Sequence, residues 1–506
     1  MEESRDSRVK RFLTSNGMVI LGFIFILCLI ALLAVGLVQN KAQSENFKYG
    51  IVFDAGSSHT TMYIYKWSAE KVNDTGLVYE IEACKVKGRG IASYRNLQEI
   101  PVYMSQCMGR AKDVIPRFKH QETPVYLGAT AGMRLLRFDN KELVEKILSS
   151  VSSLFKSYPF NFQGARIISD AEEGSYGWIT INYLLGRLKE KHSPKSLFWR
   201  KNESQSTYGA LDLGGASTQI TFVPVNETHT SSEMLKHFRL YGRNYTVFTH
   251  SYLCFGKDQA LLWKMARNAT QLQSDLLLEP CFHPGYTTTM ATRKLYGSYC
   301  SRKFNNLDQG DTIRIQGTGN FLECQRSILE LFNASFCNTY DCVFDSVHVP
   351  PIWGKFGAFS AYYYTMSFLN LTSEDVSSEE MVTRKMEEFC STPWAVVNTT
   401  FADVNKKYLS EYCFSGTYVL TLLQKLGFTE YWNQIEFLNK INGYAEAGWS
   451  LGYMLNLTNM IPAELPPPKP FSRPTYITLM VFFSLLLAVV FILGSVIFQK
   501  SSHFWK

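Results

Sequence analysis

No GxxxxGK(S/T) stretch occurs anywhere in the sequence, so a P-loop nucleotide site is excluded. No two cysteines form a close CxxC pair, and Cys337 with Cys342 has no histidine at finger spacing, which removes zinc as an explanation for the 11 cysteines. Charge is sparse, 19% of 506 residues, and the net +7 comes from basic residues scattered along the chain. Without an arginine-rich patch, nucleic acid is not an expected partner. A GxSxG pentapeptide is present, Gly448-Trp449-Ser450-Leu451-Gly452, but a serine-hydrolase elbow needs an acid and then a histidine after its serine. Residues 451–475 hold no histidine and one acid, Glu464, and His503 lies beyond the last apolar run.

What the sequence does contain is apolar: 46% of its residues, enough for a globular chain. Its length exceeds what one core usually serves, so two or more lobes are expected. Two runs carry no charge, residues 18–38 and 476–498. Each matches the roughly 20 residues needed to cross a bilayer. A cleaved signal peptide is the alternative for the first run, although its apolar stretch would be only about 7–15 residues. Arg5, Arg8, Lys10 and Arg11 precede the first run, and Lys500 and Lys506 follow the second. Basic residues resist translocation, so both tails are expected in the cytoplasm and everything between them outside the cell. Glycosylation sequons at Asn73, Asn202, Asn226, Asn244, Asn268, Asn333, Asn370, Asn398 and Asn456 all fall between the runs. Cys28 lies within the first run, leaving ten cysteines outside, an even number that suggests five disulfides in an oxidising compartment.

Between two short polar stalks, strand-like and helical stretches alternate, which argues for an α/β fold. A weak internal repeat organises them. Tyr49 onward reads YGIVFDAGSSHTTMYIY and Tyr208 onward reads YGALDLGGASTQITFV. Each is strand, Asp-x-Gly, a turn of small residues, then strand. An Asp-Gly hairpin alone proves little, but its repetition with matching flanks suggests two similar lobes, each offering one loop to a shared cleft. Small residues let the backbone turn its N–H groups toward a ligand, and Ser57, Ser58, Ser217 and Thr218 add hydroxyls. Such loops suit a polyphosphate. Asp54 and Asp212 would repel it unless a divalent cation lies between, and hard oxygen ligands favour magnesium or calcium.

Two further segments carry chemistry. VYLGATAGMRLL, residues 125–136, is an apolar strand followed by a small-residue turn at Thr130, Ala131 and Gly132; simple strand-to-helix packing is its alternative reading. ISDAEEGSYGWITINYLLG opens an amphipathic helix with three acids. Ser169 or Asp170 with Glu172 or Glu173 three residues later forms a capping box. One carboxylate can cap while the other faces a cleft, so capping and catalysis both stay open here.

Together these segments resemble the five apyrase-conserved regions of the ecto-nucleoside triphosphate diphosphohydrolase family: DAGSSHT at Asp54, GATAGMR at Gly128, EEG at Glu172, DLGGAST at Asp212 and GWSLGYMLNLTNMIP at Gly448. The chain looks closest to the cell-surface type, which removes the γ- and then the β-phosphate and thereby controls purinergic signalling. The resemblance implies a two-lobed ectodomain of the actin, hexokinase and heat-shock ATPase fold between two transmembrane helices. It implies Glu173 as general base with Ser217 positioning water, and Asp54, Asp212, Gln219 and Trp449 around a calcium or magnesium ion, mostly through water. Ser57, Ser58, His59, Thr130, Ala131, Gly214, Gly215 and Ala216 would cradle phosphates. Tyr364 matches a base-stacking position, and Lys407 stands where relatives can carry arginine. Asp170-Ala171 departs from the usual Gly-Gln. The implied disulfides are Cys84–Cys107, Cys254–Cys300, Cys281–Cys324, Cys337–Cys342 and Cys390–Cys413.

The expected organisation is a cytoplasmic tail over 1–17, a span over 18–38, a stalk over 39–47, lobe I over 48–169, lobe II with disulfide-rich insertions over 170–439, a return to lobe I over 440–461, a Pro-rich stalk over 462–475, a span over 476–498 and a tail over 499–506. Expected partners are extracellular ATP, ADP and other nucleotides, the lipid bilayer of the plasma membrane, and a further copy of the chain in a homo-oligomer. A kinase of the same fold, and a nucleotide-binding receptor with a dead site, are the alternative functions. The acid at Glu173 favours a hydrolase over both.

Overall fold

The computed structural model describes residues 2–40, 47–69, 71, 74–188, 207–225, 231–270, 272, 275–304, 311–333, 347–372, 378–441, 445–461 and 471–502. It divides into two compact units, one made of residues 1–46 with 464–506 and the other of residues 47–463.

The smaller unit is a pair of helices, Glu2–Asn40 and Arg473–Ser502. Their apolar stretches, Gly17–Gln39 and Arg473–Ile497, are long enough to cross a bilayer. The helices pack on each other with Cys28 and Val490 buried. At one end Gln39 closes a reciprocal bond: its Nε2 donates to the Phe471 carbonyl at 3.2 Å, and its Oε1 accepts from the Phe471 N–H at 3.1 Å. The first helix starts well before the apolar run, because its charged tail continues the same helical path, a continuation that an apolar pattern cannot register.

The larger unit has two sheets. Strands β1 (Phe47–Ala55), β2 (Thr60–Ser68), β3 (Val78–Lys85), β4 (Pro124–Ala129) and β5 (Asn161–Ile167) form a five-stranded sheet in the order β3-β2-β1-β4-β5. β6 (Gly209–Leu213), β7 (Ser217–Phe222), β8 (Leu235–Leu240) and β9 (Arg243–Leu253) join β13 (Phe356–Ser360) and β14 (Ile435–Phe437) in the order β14-β13-β6-β7-β9-β8. Between them in sequence, β10 (Leu276–Glu279), β11 (Thr287–Ala291) and β12 (Thr312–Gly317) make a small third sheet. Burial explains the strand patterns. β7 and the Gly50–Phe53 stretch of β1 are buried on both faces, the former with polar Ser217, Thr218, Gln219 and Thr221 among its residues, whereas outer β3 and β5 alternate.

The internal repeat is visible as geometry. β1 pairs antiparallel with β2 and parallel with β4; β6 pairs antiparallel with β7 and parallel with β13. Each sheet therefore places an Asp-loop hairpin beside a parallel strand, giving the two-lobed, actin-like α/β arrangement. Helices Asp170–Leu184 and Trp449–Thr458 pack together between the lobes, in a shared core with Trp67, Trp178, Trp449 and Met454. Their approach is close enough that a Cβ on Gly452 would meet the Tyr176 carbonyl at 1.9 Å.

Disulfides Cys84–Cys107, Cys254–Cys300, Cys281–Cys324 and Cys390–Cys413 are formed. Each loop closure contributes about 2–4 kcal/mol. Cys337 and Cys342 lie outside the described residues, as do the sequons at Asn73, Asn202 and Asn226. Asn244 and Asn370 are exposed, and Asn268, Asn398 and Asn456 are partly so. Asn333 ends the helix Phe321–Asn333.

Candidate active site

The two hairpin loops face each other across the gap between the lobes. In the first, Asp54 ends the buried part of β1 and is followed by Ala55, Gly56, Ser57, Ser58 and His59, with Ser58 and His59 exposed and Ser58 Oγ 2.9 Å from His59 Nδ1. In the second, Asp212 opposes Gln219 in the β6–β7 register, and Gly214, Gly215 and Ala216 make the turn. A Cβ on Gly215 would lie 2.6 Å from Ser57 Oγ, so the loops nearly touch there and only glycine fits. The third segment closes onto the first loop: Thr130 N–H donates to the Ala55 carbonyl at 3.1 Å, and Ala131 begins the helix Ala131–Asp139. Gly128 must also lack a side chain, since a Cβ would meet the Trp449 indole at 2.3 Å.

At the floor of the gap the structure separates the two adjacent acids. Ser169 caps the helix Asp170–Leu184, with Glu172 completing a capping box and pairing with Arg166. Glu173, one residue on, is turned inward and buried. Its helix is wedged against β7 and β9; a Cβ on Gly174 would meet Thr249 Oγ1 at 2.5 Å and Thr221 Oγ1 at 2.7 Å. Burial raises the Glu173 pKa, and Arg134 pulls it partly back.

The aspartates are in a stranger position. Burial, with Glu173 nearby, pushes Asp54 up to about 7, although the Trp449 indole offsets part of the rise. Asp212 is pushed up to about 8 by burial and by Glu173, against the Ser360 side chain. Ser360 itself takes φ 57°, a left-handed backbone rarely adopted by a non-glycine residue, at the end of β13. Asp54 Oδ1 and Gln219 Oε1 are buried with no hydrogen-bond partner among the described residues. Asp54, Asp212 and the Gln219 amide oxygen thus share a buried region without a cationic side chain of their own, while Glu173, close enough to act on both aspartates, is paired with Arg134. Among the described residues no group of three His, Cys, Asp or Glu is placed to cage an ion. Oxygen ligands too few for a cage suit a hard cation that keeps several of its own waters.

Ser217 accepts from Gln219 Nε2 at 2.7 Å, and Gln219 also donates to Ser251 at 2.8 Å. Tyr364 is exposed on the helix Ala361–Phe368, its hydroxyl 3.4 Å from Asn439 Oδ1. Lys407 is exposed in the first turn of the helix Lys406–Lys425, its ammonium 5.5 Å from the Tyr408 ring centroid. Each of these two makes its contacts with other partners, and neither touches the acids.

Sequence reasoning missed Arg134. Its Nη2 donates to Glu173 Oε2 and lies 3.4 Å from Ser217 Oγ, so it crosses from the first lobe to the second. The available signal was that Arg134 is the single charge in residues 125–136. The same helix ends in a second bridge: Phe138 stacks on Tyr299 at 4.8 Å, and Asp139 pairs with Arg302 at 2.7 Å.

Two lobes, twin Asp-loops and an inward acid at their junction make a phosphate-handling cleft, and residues 40–470 match the GDA1/CD39 (nucleoside phosphatase) family. The chain belongs to that family. Ectonucleoside triphosphate diphosphohydrolase 1 of Mus musculus is 54% identical over 509 residues, covering 100% of this chain and 99% of that protein. Its Bos taurus counterpart is 55% identical over 513 residues with the same coverage. Ectonucleoside triphosphate diphosphohydrolase 8 of Homo sapiens is 42% identical over 465 residues, 91% of this chain and 92% of that one. Among solved structures, a nucleoside triphosphate hydrolase from Neospora caninum matches 86% of this chain and 95% of its own with a TM-score of 0.59 at 17% identity, a likeness of fold.

Proposed function

We propose that this member of the GDA1/CD39 family hydrolyses extracellular nucleoside tri- and diphosphates to the monophosphate and inorganic phosphate. Its catalytic unit lies outside the plasma membrane and both termini lie in the cytoplasm. The observation that carries the reading is Glu173: a buried, inward-facing carboxylate at the meeting point of two glycine-rich Asp-loops. The full-length similarity to ectonucleoside triphosphate diphosphohydrolases supports the substrate class. The basic tails and the sequons between the spans support the topology.

In the mechanism, the loop amides of residues 56–58 and 214–216 bind the phosphate chain, with Ser57, Ser58, Thr130 and Ala131 adding donors from the first lobe. Asp54, Asp212 and Gln219 would hold calcium or magnesium through water, with Trp449 against Asp54. When bound, the cation supplies charge neutralisation for the phosphoryl oxygens. Ser217 orients a water molecule, and Glu173 accepts its proton. The water oxygen bonds to the terminal phosphorus, and the bond from phosphorus to the bridging oxygen breaks toward the leaving nucleotide. No acceptor other than water is needed. Tyr364 and Lys407 are offered to the base.

The experiment is Glu173→Gln in purified, glycosylated protein, following ATP, ADP, AMP and phosphate with time. Glutamine cannot accept the proton, so turnover should fall by about 10²–10⁴. Because Glu172 already supplies the cap, folding should be unaffected. Retention of more than about a tenth of wild-type turnover removes Glu173 from the role.

A further inference from the structure

Arg134 uses only one of its three guanidinium nitrogens. Nη2 reaches Glu173 and Ser217, while Nε and Nη1 are buried with no hydrogen-bond partner among the described residues. A guanidinium presents five donors in a rigid fork matched to a two-oxygen anion. Leaving buried donors unsatisfied is costly. The two unmet nitrogens flank Nη2, one turn into the helix that begins at Thr130 and Ala131, so a two-oxygen anion can grip either edge of the fork only by sharing or taking Nη2 from Glu173. The missing acceptor therefore has to come from the cleft. The loops lining it offer amides and hydroxyls to an anion rich in oxygen, which is the chemistry of a terminal phosphoryl group.

We propose that Arg134 is a phosphate-operated latch on Glu173. In the empty cleft the guanidinium occupies the Glu173 carboxylate in an ion pair and ties up the oxygen that would accept the proton. The terminal phosphoryl group of a bound nucleotide, with more charge and more oxygens, takes the fork over and frees the carboxylate to accept the proton from water. Phosphate leaving the site returns the fork to Glu173. The latch rests on the reading of Glu173 as general base, but it makes a claim about binding that can be tested without turnover.

The test is a double-mutant cycle on the full-length protein, using a non-hydrolysable ATP analogue with calcium and reading its dissociation constant by calorimetry. Glu173→Gln should tighten binding by about five-fold, because the nucleotide no longer has to displace a carboxylate. Arg134→Gln should weaken it by about ten-fold or more, the loss of a charged bidentate contact. In the Arg134→Gln background the Glu173 substitution should no longer change affinity. AMP, which lacks the terminal groups, should bind all four proteins alike. Arg134→Lys, which keeps the charge without the fork, guards against a variant that does not fold and should fall between Arg and Gln.

Unchanged or weaker analogue binding by Glu173→Gln overturns the latch. So does wild-type affinity in Arg134→Gln, or in Arg134→Lys where the Gln variant cannot be made. If Glu173→Gln keeps its turnover while the cycle holds, the general-base reading fails and the phosphate-for-carboxylate exchange stands.

Discussion

The twin Asp-loops share a pattern but not a setting. The second loop is clasped from behind: Cys254 N–H donates to the Ala216 carbonyl, Lys257 N–H to Gly214, and Asp258 and Gln259 N–H to Gly215, all within 3.0 Å. Cys254 adopts φ 75° to reach it and is bound to Cys300. Behind the first loop Thr130 N–H donates to Ala55 and the backbones of Gly90 and Gly132 pack against Ser57, while Ser58 and His59 face outward. The difference teaches that similar hairpins can divide labour. The second is a preformed floor, fixed by backbone bonds from the start of the helix Lys257–Ala269, while the first is held by packing and leaves its tip exposed.

The comparison is most sharply tested at its two aspartates. Asp212→Asn, in the fixed loop, should lower the affinity for calcium or magnesium by about 10–100-fold, with activity following it. Melting of the metal-free protein at neutral pH should not fall, since asparagine replaces a carboxyl that is already largely neutral there. A clear loss of melting temperature without loss of cation affinity would make Asp212 a structural group. The titration has a definite sign. In the metal-free site Asp54 at about 7 and Asp212 at about 8 are largely protonated below those values. Cation binding requires the ionised forms, so affinity should fall as pH drops from 8 to 6, with protons released on binding. A calorimetric titration in two buffers reads both quantities. Flat affinity over that range breaks the arrangement, and full turnover in excess chelator removes the cation altogether.

Next in size is a contrast of glycines. In Gly256→Ala the new Cβ would lie 2.3 Å from both the Ala216 and Ser217 amide nitrogens, a backbone clash in a conformation that alanine otherwise tolerates (φ −75°). Overpacking of this kind costs about 1–3 kcal/mol. In the open loop, Gly56→Ala meets only the His59 carbonyl, at 3.1 Å, and should stay within about 0.5 kcal/mol. Thermal melts of both variants compare the loops directly, and equal losses would show that they are equally fixed. The smallest effect is expected at His59→Ala. The side chain is exposed and bonds to Ser58, so KM for ATP should rise no more than about five-fold with kcat unchanged, the signature of a binding contact. A drop in kcat at constant KM would place His59 in the chemistry.

Much of this division was invisible in the sequence, although the loops themselves were not. Asp54 and Asp212 announced themselves because the pattern occurs twice with matching flanks, where a single Asp-Gly hairpin would have meant little. Nothing in DLGGAST reveals that a helix start more than 40 residues downstream will clasp it, since such support is tertiary. Glu172 and Glu173 were equally good caps by spacing; only the direction of the helix in its packed position decides which carboxylate turns inward. Arg134 was hidden for a related reason. A lone charge at the start of an amphipathic helix usually faces water, and its partner lies 39 residues away on another element. The length of the first helix was missed because hydropathy sees only the apolar part of it.

Both ends of the larger unit belong to the same lobe. Phe47 opens β1, and the chain leaves at Ile461, where the Lys71 ammonium grips the carbonyls of Thr458 and Ile461 and Gly76 N–H donates to Thr458. In mechanical terms the first lobe is a fixture and the second a cantilever. A load entering at Phe47 or Ile461 meets the fixture first and reaches the far sheet through the crossing where Gly452 meets Tyr176, the bridges at Arg134 and Asp139, and the bonds of Tyr183 and Tyr241 to residues 75–78. Buried bonds of this kind spread such a load over a seam rather than a single hinge point.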